Sequence, residues 1–224
     1  MSKAPDHTST FIESNFAHED DALRGCAARA EAAGVPAISV NPATGRFLQI
    51  VTAMAGATDA LEVGTLAGYS GTWIARGLRP GGKLTTLELE PKHAAVARET
   101  FRLAGVADRV EIRMGAALDT LAALEREGRQ FDLVFLDAVK AEYIDYFKFV
   151  HKMLRPGGVL LADNVLRSGG DVDIVTQPDL ADDAREGLGA MRAFLRTVRD
   201  NPAYASTMIQ VGSGVLVAHR LRQG

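Results

Sequence analysis

The sequence has few of the features that mark whole classes of protein. Cys26 is the only cysteine among 224 residues, which excludes an intramolecular disulfide framework and a cysteine-based zinc site. No uninterrupted apolar run reaches the roughly 18 residues that a membrane-spanning helix needs. The polar first ten residues contain no apolar core of a signal peptide. We therefore predict a cytoplasmic protein with no membrane partner.

Charge of one sign is also scarce. The chain has 25 Lys and Arg against 28 Asp and Glu, a formal net charge of -3, and the absence of a basic block argues against nucleic-acid binding. Hydrophobic residues make up 47% and charged residues 24% of the chain, as in ordinary globular proteins. The length fits one domain. We predict a single domain over 1–224, with an N-terminal helical cover over 1–57 and a core over 58–224.

Strand-like and helix-like patterns alternate from about residue 58 onward. Helical periodicity marks 91–103 and 140–154. This alternation favours parallel strands with helices on both faces, a doubly wound Rossmann-like α/β fold. The five predicted strands are 60–64, 83–88, 109–113, 131–136 and 158–162.

The two ends of the chain depart from this rhythm. At the C-terminus, a helical pattern over 182–200 precedes two strand patterns, 206–211 and 214–219. Only Gly212 and Ser213 separate these strands, which suits a two-residue type II′ hairpin. The expected sheet is therefore mixed, with seven strands and a C-terminal antiparallel hairpin. Before the core we predict extra N-terminal helices over 17–33 and 46–55 with a loop over 35–44, and after the fifth strand a lid loop over 165–185.

The first strand leads into a glycine turn, in the segment LEVGTLAGYS. Both the G-x-G-x-x-G dinucleotide pattern and the P-loop pattern are absent. Glu62 lies two residues before Gly64, where a carboxylate would repel a pyrophosphate and attract a positively charged ligand. The alternative is a tight strand-to-helix turn with no ligand.

An acid ends the second strand. Glu88 lies 24 residues beyond Gly64, where a carboxylate can accept hydrogen bonds from ribose hydroxyls. Taken alone, such an acid is an ordinary solvated strand end. Together with the glycine turn it indicates a ligand with adenosine, a cationic centre and no phosphate, a description that S-adenosylmethionine meets.

Oxygen-bearing side chains follow the fourth and fifth strands. Asp137 comes directly after one, and Asp163 with Asn164 after the other. Carboxyl ends of neighbouring parallel strands lie side by side, and three oxygen donors suit a hard divalent cation, Mg²⁺ foremost, with Mn²⁺ and Ca²⁺ as alternatives. The competing interpretation is that these aspartates only cap the segments that follow them.

Lys140 follows Asp137 by three residues, in the predicted first turn of a helix. A cation there opposes the helix dipole, so the dipole does not explain its placement. An isolated lysine would be an ordinary surface residue. Beside a metal site, a lysine can serve as a general base.

These motifs resemble the metal-dependent class I O-methyltransferases, which include catechol and caffeoyl-CoA O-methyltransferases. The likeness covers about residue 35 to the C-terminus and implies a seven-stranded mixed sheet. It also implies methyl transfer from S-adenosylmethionine to one hydroxyl of a catechol-like small molecule, with a divalent metal. The matching segments are LEVGTLAGYS (61–70), LTTLELEP (84–91), FDLVFLDAVKAEY (131–143) and RPGGVLLADNVL (155–166).

The resemblance also implies roles for individual residues. Lys140 and Asp137 are expected to be catalytic, and the metal ligands are expected to be Asp137, Asp163 and Asn164. The expected cofactor-binding residues are Val40, Glu62, Gly64, Thr65, Ser70, Glu88, Ala116 and Asp137. Within this set, Glu62 to Ser70 would contact the methionine end, Glu88 the ribose, and Ala116 the adenine side, while Val40 would cover the cofactor.

The motifs leave the acceptor, the oligomeric state and two alternative functions open. Val139 stands where caffeoyl-CoA enzymes have an acid and catechol enzymes an aromatic residue, so it supports neither acceptor. The family forms homodimers, so we expect one here. One alternative to a methyltransferase is an NAD-type dehydrogenase, which Glu62 and the missing G-x-G-x-x-G pattern disfavour. Another is a non-catalytic cofactor-binding protein of the same fold, which is disfavoured by the combination of Asp137, Lys140, Asp163 and Asn164.

Overall fold

The structure, a computed structural model, describes residues 7–166 and 187–222. Most of the predicted lid loop over 165–185 and the first residues of the predicted helix over 182–200 lie outside these ranges. Within them, no helix combines the length and apolar character needed to cross a membrane.

Helices and strands alternate through the described core. The strands are β1 (Asp59–Val63), β2 (Lys83–Glu88), β3 (Val110–Met114), β4 (Phe131–Leu136), β5 (Leu154–Ala162), β6 (Tyr204–Ile209) and β7 (Val215–Arg220). The α-helices are α1 (His7–Phe16), α2 (Asp21–Arg24), α3 (Cys26–Ala32), α4 (Pro42–Met54), α5 (Tyr69–Gly77), α6 (Pro91–Leu103), α7 (Ala117–Arg126), α8 (Tyr143–Met153) and α9 (Gly187–Arg199).

The strands form one seven-stranded sheet in the order β3-β2-β1-β4-β5-β7-β6. Strands β1 to β5 pair in parallel, whereas β7 runs antiparallel to both β5 and β6. This topology confirms the predicted Rossmann-like mixed sheet with its C-terminal antiparallel hairpin.

Strand β4 shows why helices cover both faces of the sheet. Alternate side chains of a strand point to opposite faces. Val134 and Leu136 join the apolar cluster that contains Phe147 of α8 and Phe194 of α9, and so does Phe131, which lies before the register shift between Phe131 and Leu133. The intervening Leu133 and Phe135 join the opposite cluster, together with Leu48 of α4, Ile74 of α5 and Phe101 of α6. Because this strand is buried on both faces, its sequence FDLVFL is apolar apart from Asp132.

Several predicted bounds are wrong for identifiable reasons. The predicted helix 17–33 is two helices, with Gly25 between α2 and α3. Helix α4 begins at Pro42 rather than 46, because Asn41 Oδ1 accepts the backbone N–H of Thr44 at 2.9 Å and caps the helix. Strand β5 begins at Leu154, four residues before the predicted 158, and its pairing with β4 shifts register between Phe131 and Leu133.

The prediction of a two-residue hairpin loop is also wrong. The last pair of the ladder joins Ile209 to Val215, so the loop spans 210–214. Its backbone is held from outside the hairpin, since the N–H groups of Val165 and Leu166 donate to the carbonyl groups of Gly214 and Ser213, each at 3.1 Å. The loop therefore packs against the segment that follows β5.

Asp132 ties together the amino ends of three strands. Its carboxylate accepts the N–H groups of Thr58 (2.8 Å) and Asp59 (3.0 Å) and the Arg155 guanidinium (2.7 Å). Partial burial raises the pKa of Asp132, but the hydrogen bonds from the backbone of Asp59 and Thr58 and from Arg155 outweigh it and lower the pKa to about 2. The Asp132 carboxylate therefore stabilises the fold above pH 4, and this contribution is lost as the pH falls towards 2.

We expect Asp132→Ala to lower the free energy of unfolding by about 2 kcal/mol at pH 7, because it leaves several donors without their acceptor. Urea unfolding measures this change, and the difference from wild type should shrink between pH 4 and pH 2. Asp145→Ala is the control, since Asp145 pairs with Lys148 on the exposed surface of α8 and should cost less than about 0.5 kcal/mol. Equal losses in the two variants would contradict the prediction.

Candidate functional site

The carboxyl ends of the central strands form one rim. The backbone ladder continues past the strand ends, with Asp137 N donating to Val63 O and Asp163 N donating to Leu136 O, both at 3.0 Å. Gly64 N likewise donates to Leu87 O at 3.2 Å. Gly64, Asp137 and Asp163 therefore lie along the same edge, where ligands bind in open α/β sheets.

The turn after β1 requires glycine at position 64. Gly64 has φ +102°, and a Cβ at this position would collide with the backbone carbonyl oxygen of Asp137. Only a residue without a side chain allows this backbone to approach the end of β4 so closely. The glycine turn and the first predicted metal ligand are thus one packed unit.

Glu62 lies beneath this turn with no solvent exposure. Ser70 Oγ and Thr86 Oγ1 each donate to its carboxylate at 2.6 Å, and Thr65 Oγ1 lies 2.6 Å from Thr86 Oγ1. Burial raises the pKa of Glu62; the two hydroxyl donors lower it and the charges of Asp137 and Glu88 raise it, to give about 7. Three of the predicted cofactor residues therefore form one buried network, which extends through Thr86, a residue that sequence reasoning missed.

Glu88 at the end of β2 is 7% exposed and accepts hydrogen bonds from the chain around it. Leu66 N donates to Oε2 at 2.8 Å, while Leu89 N and Glu90 N donate to Oε1 at 3.0 Å. Leu66 itself has φ +47°, a strained conformation for a branched residue that concentrates at functional sites. The carboxylate is held at the rim rather than free in solvent.

Apolar side chains lie beside this carboxylate. Leu89 is 61% exposed and Met114, at the end of β3, is 41% exposed. Gly115 N donates to Glu88 O at 2.9 Å, which places the exposed Ala116 on the same edge. Exposed Leu and Met next to a buried acid provide a surface for a flat apolar group. Sequence reasoning named Ala116 but missed its two neighbours, although both directly adjoin the ends of predicted strands.

A cavity of about 220 Å³ opens at the ends of β4 and β5. It brings together Asp137, Asp163, Asn164 and Val40, which were predicted from separate segments. One wall is the segment 38–41 with Thr44, and the other is the hairpin loop at Gly212 and Ser213. Lys140, Glu62, Gly64, Thr65, Ser70, Glu88 and Ala116 are not among the residues that line it.

The two walls of the cavity contact each other. A Cβ at Gly212, which has φ +56°, would collide with Thr44 Oγ1. The wall at Asn41 also reaches the N-terminal helix, because Asn41 Nδ2 donates to Glu13 Oε1 of α1 at 2.8 Å.

Asp163 is the most unusual group in the cavity. It is 4% exposed, and none of the residues that the structure describes donates a hydrogen bond to its Oδ1 atom. Burial and the neighbouring charge of Asp137 raise the pKa of Asp163 to about 7. The next residue, Asn164, has φ +61°. A buried carboxylate oxygen without a donor costs free energy unless something else pairs with it.

Within residues 7–166 and 187–222, no three His, Cys, Asp or Glu side chains form a metal-binding group. The predicted set contains two carboxylates and the amide of Asn164, so it does not depend on a third acid. The unpartnered Asp163 Oδ1 next to Asp137 is the observation that fits a hard cation.

Lys140 begins a short 3₁₀ helix, Lys140–Glu142, directly before α8. Its Nζ donates to Asp137 Oδ1 at 2.8 Å and to the Tyr143 hydroxyl at 2.9 Å. Tyr143 is fully buried and donates in turn to Leu136 O at 3.1 Å. Burial raises the pKa of Tyr143, with a further contribution from Asp137, so its hydroxyl stays neutral. Lys140 is therefore fixed beside the cavity by Tyr143, which sequence reasoning did not identify.

The fold and this rim together define a Rossmann-like enzyme of the methyltransferase type. The chain belongs to the O-methyltransferase family, whose sequence pattern it matches over residues 14–221. The prediction of an O-methyltransferase is confirmed, and the dehydrogenase alternative is excluded. The match begins earlier than the predicted residue 35, so the N-terminal helices α2 and α3 belong to the family pattern as well.

Individual relatives agree with this assignment. The chain is 41% identical over 202 residues to a catechol O-methyltransferase from Niastella koreensis, covering 90% of this chain and 88% of the relative. It is also 41% identical over 206 residues to a catechol O-methyltransferase from Mycobacterium tuberculosis, covering 92% and 89%. An O-methyltransferase from Bacillus cereus, solved in complex with SAH, superposes with a TM-score of 0.85 at 36% identity, covering 95% of this chain and 96% of that chain.

Proposed function

We propose that this O-methyltransferase transfers a methyl group from S-adenosylmethionine to one hydroxyl of a catechol-like small molecule, with a divalent metal ion, Mg²⁺ foremost. The observation that carries the proposal is the buried, unpartnered Asp163 Oδ1 in a cavity shared with Asp137 and Asn164. The two relatives named catechol O-methyltransferase support the acceptor class.

The rim fits the proposed methyl donor. Gly64 lets the end of β1 lie close to the end of β4, Glu88 presents a carboxylate for ribose hydroxyls, and the exposed Leu89 and Met114 offer an apolar surface for adenine. Glu62 lies beneath the turn without being exposed, so in its ionised form it would favour a cationic ligand through the electrostatic field rather than by direct contact. The absence of a phosphate-binding glycine pattern agrees with this ligand.

The cavity fits a hard divalent ion. Asp137, Asp163 and Asn164 would hold the ion through oxygen atoms. Burial and repulsion from Asp137 raise the pKa of Asp163, and a cation held by these residues would offset both effects. When bound, the ion would supply electrostatic stabilisation of a phenolic oxygen.

Lys140 would take up the proton of the acceptor hydroxyl. Its Nζ is fixed between Asp137 Oδ1 and the Tyr143 hydroxyl, at the edge of the cavity and 21% exposed. Nζ must first release one of its own protons to solvent. As a neutral amine in this position it can then accept the proton of an acceptor hydroxyl, a contribution that is typically worth about 10²–10⁴-fold in rate. Tyr143 keeps the amine oriented because its own hydroxyl is anchored on Leu136 O.

Apolar residues border the proposed acceptor site. Val139 precedes Lys140 and is 57% exposed, and Ile38 at the cavity wall is 74% exposed. The ring of an aromatic acceptor would cover Ile38 while its vicinal hydroxyls enter the polar cavity. This arrangement supports a small phenolic substrate.

We expect a chelator to lower turnover with catechol and S-adenosylmethionine by at least about 100-fold, because one ion would stabilise charge at the reacting oxygen. Adding Mg²⁺ in excess should restore the rate, which is measured as methylated product. Binding of S-adenosylhomocysteine in the presence of the chelator is the control for an intact fold. Full turnover of extensively dialysed protein in chelator would refute the metal role.

Other expectations stay predictions: the homodimer, the cytoplasmic location, the absence of nucleic-acid and membrane partners, and the division at residue 57. The roles of the individual site residues also stay predictions, and the experiments below test those with the largest expected effects.

A further inference from the structure

The carboxylate of Glu88 receives its donors unevenly. Among residues 7–166 and 187–222, only Leu66 N donates to Oε2, at 2.8 Å. Oε1 accepts Leu89 N and Glu90 N at 3.0 Å and also lies 3.2 Å from His93 Nδ1. A carboxylate has about four lone-pair sites, two on each oxygen. Oε1 is therefore fully engaged, and Oε2 retains an acceptor site.

His93 is the one side chain among these four donors. The other three are backbone N–H groups, whose positions are set by the turn after β1 and the start of α6. Because a carboxylate accepts and does not donate, His93 Nδ1 must carry the hydrogen. The imidazole is 22% exposed, so it lies at the rim beside the proposed ribose site.

The first turn of α6 fixes the position of His93. Pro91 is the first residue of the helix and sets its backbone direction. Lys92 Nζ donates to Gly34 O at 2.9 Å, and Ala94 is fully buried. The residues on both sides of His93 are thus anchored, and the imidazole faces Glu88.

We propose that His93 is a positioning residue for the methyl donor, which donates from Nδ1 to Glu88 Oε1 and thereby holds the carboxylate with Oε2 available to a ribose hydroxyl. The inference rests on the proposed function, since it assumes that Glu88 binds ribose. No family motif in the sequence assigned a role to His93.

The test compares two ligands by titration calorimetry. One is S-adenosylhomocysteine, and the other is an analogue of it without the two ribose hydroxyls. We expect His93→Leu to lower the affinity for S-adenosylhomocysteine by about tenfold, because a hydrogen bond to a charged group is lost. The affinity of His93→Leu for the analogue should stay within twofold of the wild-type affinity, since the analogue has no ribose hydroxyl that could donate to Glu88.

Two amide variants identify the nitrogen involved. The Nδ2 of asparagine occupies the position of His Nδ1, so His93→Asn should restore most of the affinity. The amide nitrogen of glutamine corresponds instead to Nε2, so His93→Gln should resemble His93→Leu.

His18→Leu is the control, because His18 is exposed and distant in the chain. Nitrogen-15 NMR of the ligand-free protein should show the Nδ1–H tautomer for His93.

The outcomes separate the two proposals. If wild type binds S-adenosylhomocysteine and His93→Leu binds it equally well, the role of His93 is refuted and the proposed function stands. If His93→Leu weakened the binding of both ligands equally, the role would also be refuted, since this result indicates a general structural effect. An Nε2–H tautomer of His93 would refute it as well. A wild-type protein that binds neither ligand would overturn the proposed function and this inference with it.

Discussion

Replacing Lys140 with methionine is expected to lower kcat for methylation of catechol by about 10²–10⁴-fold. Methionine has a similar length and fills the same space, but it cannot accept a proton. The donor bonds from Nζ to Asp137 and Tyr143 would also be lost. Steady-state kinetics with S-adenosylmethionine and catechol measure the change, and binding of S-adenosylhomocysteine should be retained.

Lys148→Met provides the matched control for Lys140→Met. Lys148 lies on the same stretch of chain, is 68% exposed and pairs only with Asp145 in the described part of the structure, so its replacement should leave kcat within twofold. Lys140→Arg separates charge from proton transfer, since arginine keeps the positive charge but does not deprotonate. Activity of Lys140→Arg close to wild type would show that Lys140 acts as a charge and not as a base. Unchanged turnover in Lys140→Met would refute the role of Lys140 as the base.

Asp163→Asn is expected to raise the stability of the metal-free protein and to weaken metal binding. Burial and the charge of Asp137 raise the pKa of Asp163 to about 7, against about 3.9 in an unfolded chain. Its contribution to stability is therefore fully present below pH 4 and is lost as the pH rises through 7. Asparagine carries no charge, so the metal-free variant should be more stable than metal-free wild type by about 2–4 kcal/mol at pH 8.

Urea unfolding in chelator at pH 4.5 and pH 8 measures this effect, and the difference between the proteins should shrink at the lower pH. Added Mg²⁺ should raise the unfolding free energy of wild type at pH 8, because a ligand that binds only the folded state stabilises it. The same addition should leave the variant almost unchanged. Asp119→Asn on the exposed surface of α7 is the control and should show neither effect. A variant that is less stable than wild type at pH 8 without metal would contradict the prediction.

The strands of the core were predictable because their signals are local. Strand β4 is buried on both faces, so its sequence FDLVFL is almost continuously apolar, and β2 agrees with its predicted bounds. Parallel pairing then places residues at the strand ends on one edge regardless of the detailed bounds. For this reason Asp137, Asp163 and Asn164 could be brought together from sequence before any distance was known.

Features that depend on long-range packing could not be predicted in the same way. The hairpin loop differs from the two-residue turn because its carbonyl groups bind the segment after β5, which sequence periodicity does not reveal. Tyr143 and His93 were missed because their roles depend on how the first turns of α8 and α6 face the neighbouring strand ends. The complete burial of Glu62 likewise depends on helix α5, whose Gly71 packs against its carboxylate.

The contact between Gly212 and Thr44 constrains how the acceptor range of such an enzyme can diverge. The acidic floor of the cavity belongs to strand ends, whereas its two sides are the start of helix α4 and the hairpin loop, which touch across the opening. A bulkier residue on one side must be matched by a smaller one on the other, or the opening is forced apart. Laboratory evolution toward larger phenols should therefore succeed more often through paired substitutions at 41–44 and 210–213 than through single ones, with the strand-end residues left untouched.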